Sequence, residues 1–192
     1  MGLSGPAGSV VQPGAASQFI RQLSDQAIAT LSAPGGSLEG REAQFRSLLS
    51  QGFDLSFIGR FVLGRYWRQA SPDQRADYLS LFSEYVLQTY SARLGGYAGE
   101  SMTIISERQA GTKDVVVSTR IDRPSGPPIL ADWRVRITDG RYRIIDIMVE
   151  GVSMVVTQRS EFAAVIQRRG LQGLIEVLRA RTTKLPVTAA AN

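Results

Sequence analysis

The sequence predicts an α+β protein in which an antiparallel sheet of four strands is covered by helices from both ends of the chain. Three observations carry this expectation. Apolar residues recur at helical spacing from 18 to 94 and again from 152 to 182. Four runs between 102 and 149 read as strands, and the short connections between them hold Gly or Pro, which makes an antiparallel meander the simplest topology. At 192 residues and 43% hydrophobic content, the chain fits one domain with a real core.

Residues 18 to 31 place Phe19, Ile20, Leu23, Ala27 and Ile28 on one helical face, and Ala33-Pro34-Gly35-Gly36 stops them. A second helix spans about 38 to 50 with Phe45, Leu48 and Leu49. In FDLSFIGRFVLGRYW, the most aromatic stretch, Asp54 caps a short helix bearing Phe57, Ile58, Phe61 and Val62, and Gly64 ends it. Ser71-Pro72-Asp73-Gln74 then combines a capping residue, a first-turn Pro and a Gln three residues after the cap, so a helix starts at Pro72 and runs to Leu94. Its apolar residues, among them Phe82 and Tyr85, cover more than the ~100° stripe of an ordinary surface helix, which predicts packing against two surfaces.

The strands are expected at 102 to 108, 115 to 122, 129 to 138 and 141 to 149. A strict two-residue turn at Asp139-Gly140 opposes Trp133 to Asp146; one bulged glycine instead opposes Arg134 to Asp146 and Trp133 to Ile147. The second pairs charge with charge and is the register predicted, with Arg134 on the convex or helix-free face. The other face then carries Ile129, Ala131, Trp133, Val135, Ile137, Ile145, Ile147 and Val149. Two helices, 152 to 168 and 171 to 182, close the chain around Gly170. Residues 1 to 17 read as an unstructured leader or an appended remnant, 18 to 182 as the domain, and 183 to 192 as a tail.

The chain has neither Cys nor His, which removes thiol nucleophiles, imidazole bases and structural zinc together. Its only lysines are Lys113 and Lys184, so few general bases remain and an enzyme is not expected. No apolar run approaches the ~18 residues of a membrane span, and the first seventeen residues hold no secretory apolar core. The net charge of +5 rests on twenty arginines against two lysines and favours anionic surfaces without choosing among them. A helical reading after Gly151 puts Arg159 within the apolar stripe of Val152, Val155, Val156, Phe162 and Ile166. It either pairs with Asp146 or Glu150, or offers its fork to a phosphate.

Three segments, GRFVLGRYWRQASPDQRADYLSLFSEYVLQTY, GPPILADWRVR and IIDIMVEGVSMVVTQRSEF, together resemble the MlaC-type lipid shuttles of the toluene-tolerance family, over roughly residues 18 to 180. One segment departs: many members have Asn-Tyr-Arg-Ser where this chain has Thr157-Gln158-Arg159-Ser160, so Arg159 and Ser160 match while 158 is not aromatic. The resemblance implies a periplasmic carrier that moves phospholipid between an outer-membrane lipoprotein–porin complex and an inner-membrane ABC-type lipid transporter, with no nucleic acid, cofactor or metal. It implies a curved four-stranded sheet with an apolar cavity between sheet and helices, where pattern alone favours a solid core. The expected lining is Phe57, Phe61, Phe82, Tyr85, Trp133, Val135, Ile147, Val149 and Val155, with Arg159 as a possible headgroup contact and the helix from 72 to 94 as a movable wall. Two other functions stay open: a carrier of hopanoid-type polycyclic lipid, and a small-molecule enzyme on a cone-shaped α+β fold using Asp132 and Asp146.

Overall fold

The computed structural model describes residues 14–32, 37–91 and 99–183. Its elements are α1 (Ala15–Ser32), α2 (Leu38–Gly52), α3 (Leu55–Leu63), α4 (Tyr66–Gln69), α5 (Pro72–Ser91), β1 (Ser101–Ala110), β2 (Asp114–Asp122), β3 (Ile129–Thr138), β4 (Arg141–Val149), β5 (Val152–Ser153) and α6 (Met154–Thr183). The class is the expected α+β, one open antiparallel sheet in the order β1-β2-β3-β4-β5 flanked by helices. Five strands form where four were expected, because Glu150 (φ 49) and Gly151 (φ 79) turn the chain back and pair Val152 and Ser153 with Val149 and Met148. The short α4 was not foreseen either. Helix α1 starts at Ala15, inside the stretch read as leader. Residues 1–13, the 33–36 breaker, the expected helix end at 92–94 and residues 184–192 lie outside the described residues.

Local signals act as the sequence suggests. The Gln74 N–H donates to Ser71 Oγ at 3.2 Å and the Ser71 N–H to Gln74 Oε1 at 3.1 Å, a reciprocal capping box. Asp54 accepts from the Phe57 N–H at 2.9 Å, and Gly64, at φ 56, closes α3. Gly170 (φ 71, ψ 174) breaks α6 where two helices were expected to meet. The start of α1 is held from a distance: Glu107 on β1 accepts from the Gly14 N–H, the Ser17 N–H and the Ser17 hydroxyl. Burial pushes the Glu107 carboxyl up, but these hydrogen bonds outweigh it and leave the group below its ordinary value.

The β3–β4 pairing corrects the predicted mechanism while keeping its result. Thr138 faces Arg141 and Val135 faces Ile144 across a strict two-residue turn, with Asp139 (φ 50) and Gly140 (φ 73) both left-handed. The register then shifts between Arg134 and Val135, so Arg134 opposes Asp146 and Trp133 opposes Ile147. The extra residue is Ile145 within the strand, not the turn glycine. In consequence Ile144, and not Ile145, joins the apolar group beneath α1. Arg134 does not pair with Asp146 either. Arg134 Nη2 lies 2.7 Å from Asp114 Oδ2, and Arg136 Nε lies 2.6 Å from Asp114 Oδ1. That face is not helix-free, since the Arg136 guanidinium sits 4.7 Å over the Phe57 ring of α3.

Apolar side chains gather in two clusters. Between α1 and the sheet lie Ala16, Ile20, Val115, Val117, Val135 and Ile144. Among α3, α5 and α6 lie Ile58, Val62, Tyr78, Phe82, Phe162 and Leu174 with their neighbours. Phe53 packs against both, and its backbone bridges the edge of β4 at Ile144, where the Asp54 N–H donates to the Ile144 carbonyl at 3.0 Å. The wide stripe of α5 is used by helices: α5 packs on α6, α3 and α2. Tyr78 donates its hydroxyl to the Gly59 carbonyl at 3.0 Å, and burial raises its pKa well above the ordinary phenol value. The α3–α5 crossing is close because Gly59 has no side chain; a Cβ there would come within 2.9 Å of Leu79 Cδ2 and Phe82 Cδ1.

Two stability outcomes follow from this packing. Asp114→Ala leaves two guanidiniums without their carboxylate. It should cost about 2 kcal/mol, below the ~3–5 kcal/mol of a fully buried pair because Arg134 is half exposed, and lower Tm by about 4–8 °C. Burial pushes the Asp114 carboxyl up, but the two arginines outweigh it and hold its folded pKa below the unfolded value of about 3.9. Its contribution is therefore complete above that pH and is lost as pH falls through the folded value, so acid denaturation curves of wild type and Asp114→Ala should converge below about pH 4. Gly59→Ala should cost roughly 1–3 kcal/mol by overpacking against the Phe82 ring, measured by thermal or urea unfolding.

Candidate functional site

Of the residues expected to line one cavity, all but Phe61 and Val149 divide between the two clusters. On the helical side, Phe57 and Val155 are half-buried, Tyr85 tilts against Phe162 at 6.2 Å, and Phe82 is 1% exposed, stacked on Tyr78 at 5.7 Å and edge-on to Phe162 at 6.2 Å. Phe82 is thus solid core, and α5 does not stand as a wall between the sheet and an open space. On the sheet side lie Val135, Ile147 and Trp133, whose indole N–H donates to Thr119 Oγ1 at 2.9 Å while that hydroxyl donates to the Ala131 carbonyl at 3.0 Å. Val149 pairs with Ala131 and Val152 and belongs to neither cluster. Phe61 is 40% exposed on the outer surface of α3.

Two hollows flank the end of α3. One of about 220 Å³ is lined by Val62, Leu63, Arg65, Tyr66, Arg159 and Ala163. The other, about 290 Å³, is lined by Phe57, Arg60, Phe61, Gly64 and Trp67. Neither is lined by a strand residue, so neither is the expected elongated pocket between sheet and helices.

Arg159 stands between these hollows, and its surroundings correct the pairing expected for it. The carboxylate of Asp146 accepts from the Ser153 hydroxyl at 2.6 Å and the Val155 N–H at 3.2 Å, which anchors the start of α6. Glu150 accepts from the Leu130 N–H at 2.8 Å. Neither holds Arg159, which is exposed, lies 5.1 Å over the Phe61 ring and has no ion pair among the described residues. Gly64 makes room for it, since a Cβ there would sit 2.9 Å from its Nε. The stripe that seemed to enclose Arg159 is not buried throughout, for Val152 and Val156 are 54% and 51% exposed.

Around Arg159 the structure gathers residues that sequence reasoning did not single out. Arg60 and Arg75 each lie 5.2 Å from the Trp67 ring, and Arg65 lies 5.0 Å from the Tyr66 ring. The available signal was the alternation of arginine and aromatic in GRFVLGRYWR, which only the short α4 converts into one surface. The carboxylates considered for an enzyme are accounted for: Asp146 is a helix anchor, and Asp132 faces Ser118 and Met148 across the sheet, not a second carboxylate. Among the described residues the buried carboxylate is Asp114, which had not been considered, and it is taken up by two arginines. Alternate arginines at 134 and 136, facing the Asp that opens β2, were its signal.

Among the described residues no helix is long and apolar enough to cross a membrane. Similarity to known proteins is consistent along the chain. An intermembrane phospholipid transport system binding protein, MlaC, of Haemophilus influenzae is 28% identical over 126 residues, covering 64% of this chain and 59% of that protein. The chain thus matches under two thirds of that relative's length. The toluene tolerance protein ttg2D of Pseudomonas putida is 20% identical over 147 residues, 70% of this chain and 68% of that one. Among solved structures, a phospholipid-binding protein from Ralstonia solanacearum in complex with a phospholipid superposes with a TM-score of 0.77 at 26% identity, covering 88% of this chain and 97% of that one. The sequence pattern of the MlaC protein family matches residues 21–180, so with its open sheet, its two apolar clusters and its paired C-terminal helices this chain belongs to the MlaC family.

Proposed function

We propose that this chain is a periplasmic phospholipid carrier that takes lipid between an outer-membrane lipoprotein–porin complex and an inner-membrane ABC-type transporter. The observation that carries the reading is the shared fold with a solved relative that holds a phospholipid, matched over 97% of that relative. Physical chemistry explains why such a carrier needs no catalytic group. A buried methylene is worth about 0.8 kcal/mol, so a sixteen-carbon chain opposes entry into water by roughly 12 kcal/mol and a two-chain lipid by about twice that. Hydrocarbon walls that replace the bilayer lower this barrier without any bond being made or broken, and no cofactor or metal is proposed.

The seam between the two clusters, where Phe53 touches both, is the proposed place for the acyl chains. Trp133, Val135 and Ile147 would line it from the α1 face of the sheet, and Phe57, Tyr85 and Val155, which stand on the side of the opposite face, would reach the chains around the β4 edge at Phe53. A two-chain lipid needs space near the upper end of the ~300–1,000 Å³ of ordinary ligand pockets, so uptake requires the clusters to part. Arg159 lies one helical turn beyond Val155, exposed and without an ion pair among the described residues, and its fork suits a lipid phosphate at the rim.

Extraction of the purified protein with organic solvent should yield a diacyl phospholipid; a polycyclic lipid would change the cargo, and no lipid at all would overturn the carrier. The lining can be read separately. In a Trp67→Phe background, phospholipid spin-labelled on its acyl chain should quench Trp133 emission, and unquenched emission with lipid bound would remove the sheet from the site. Val155→Asp should lower co-purifying lipid with a retained thermal transition, whereas Phe82→Asp should abolish folding, since it places a charge in a closed core.

A further inference from the structure

We propose that the surface formed by α3, α4 and the first turns of α6 docks on an anionic phospholipid bilayer. This goes beyond the carrier reading, which requires only exchange between protein complexes. The surface is continuous: Arg60, Phe61 and Trp67 share one hollow, Arg65, Tyr66 and Arg159 share the other, and Arg159 covers Phe61 between them. None of Arg60, Arg65 and Arg159 has an ion pair among the described residues, nor has Arg75 of α5, which borders the surface through Trp67, whereas Arg46, Arg120, Arg134, Arg136, Arg169 and Arg179 elsewhere are each engaged by a carboxylate.

The stacking decides what kind of partner fits. Each guanidinium lies over a ring that holds the cation in place; Arg65 gives one N–H to the Tyr66 hydroxyl and Arg75 gives its Nε–H to the Trp67 carbonyl, and the remaining N–H groups are left to donate outward. The rings of Tyr66 and Trp67, half-buried under the chain's own arginines, are poorly placed to act as anchors in a partner's pockets, which is how aromatic residues hold protein interfaces together. What faces outward is a spread of donors with no common focus, beside the exposed apolar groups Phe61 and Val156, which are 40% and 51% exposed. A bilayer offers phosphate oxygens at every lateral position and hydrocarbon just beneath them, so it meets both features without a shaped pocket. An acidic protein would meet the charge alone.

Sedimentation of the full chain with vesicles tests this. Vesicles rich in phosphatidylglycerol should retain the protein, vesicles of phosphatidylcholine should not, and added salt should release it. The Arg60→Gln, Arg65→Gln double variant should lose roughly 25-fold in partitioning, about fivefold for each arginine near an anionic surface. Arg141→Gln with Arg168→Gln removes the same charge elsewhere and should change it less than about twofold, the scale of a distant charge screened by salt. Equal loss in both variants, equal binding to neutral vesicles, or binding to an acidic protein partner with none to either vesicle would each overturn the proposal. Thermal transitions of all variants are recorded, and if the double variant is unfolded the single Arg65→Gln variant carries the test. Lipid extracted from the same preparations separates the two readings: a double variant that keeps its lipid but leaves the vesicles isolates docking, and a wild type without lipid that still binds vesicles leaves docking standing while the carrier falls.

Discussion

An antiparallel sheet can keep hydrocarbon on one face and charge on the other only while its side chains stay in phase, and in β4 that phase is set by one extra residue at Ile145. Before it, Tyr142 and Ile144 face α1; after it, Ile147 resumes the same face and Asp146 falls on the other. With no bulge, Asp146 would oppose Trp133 and carry a carboxylate into the α1 cluster at a cost of several kcal/mol. The bulge instead leaves Asp146 beside Ser153 and Val155, where it anchors α6. The position of the last helix, and with it the helical cluster and Arg159, therefore depends on a single inserted residue in a strand.

The two clusters differ in how they are held. The sheet cluster is fastened at its rim by Glu107, which grips the start of α1, and on the opposite face by Asp114 between Arg134 and Arg136. The helical cluster relies on aromatic packing of Tyr78, Phe82 and Phe162 and on the close approach at Gly59. Each is locally complete, and the element common to both is a single side chain, Phe53.

Secondary structure was legible because each element carried its own local code: the Ser71–Gln74 box, the Asp54 cap, the Gly170 break, and alternation in β3 and β4 whose ends match to the residue. The β3–β4 register was legible from side chains, but not the site of its extra residue, since an insertion at Gly140 or at Ile145 gives the same pairing of Arg134 with Asp146. Alternation identifies a buried face without identifying what covers it, and so Phe82 and Trp133 were assigned to one lining although they lie in separate clusters. Arg159 was misread for a related reason. A stripe drawn on a helical wheel presumes a partner along its full length, and here Val152 and Val156 have none beside them that buries them. Asp114 escaped notice because its importance arises across the sheet, from arginines twenty residues further along.

The outer strand carries a consequence for life in a crowded compartment. Among the described strands β1 has no neighbour beyond β2, so it is the sheet's open side and presents unpaired backbone groups to other chains. Its pairing with β2 is interrupted between Ile104 and Ser106, which kinks the strand at Ile105, and two residues later Glu107 points a carboxylate inward beneath α1. A second copy laid edge to edge would have to match that kink and leave Ile105, 58% exposed, without a flat partner. The same irregularity that seats the first helix thus makes the open edge a poor template for a flat strand from another molecule.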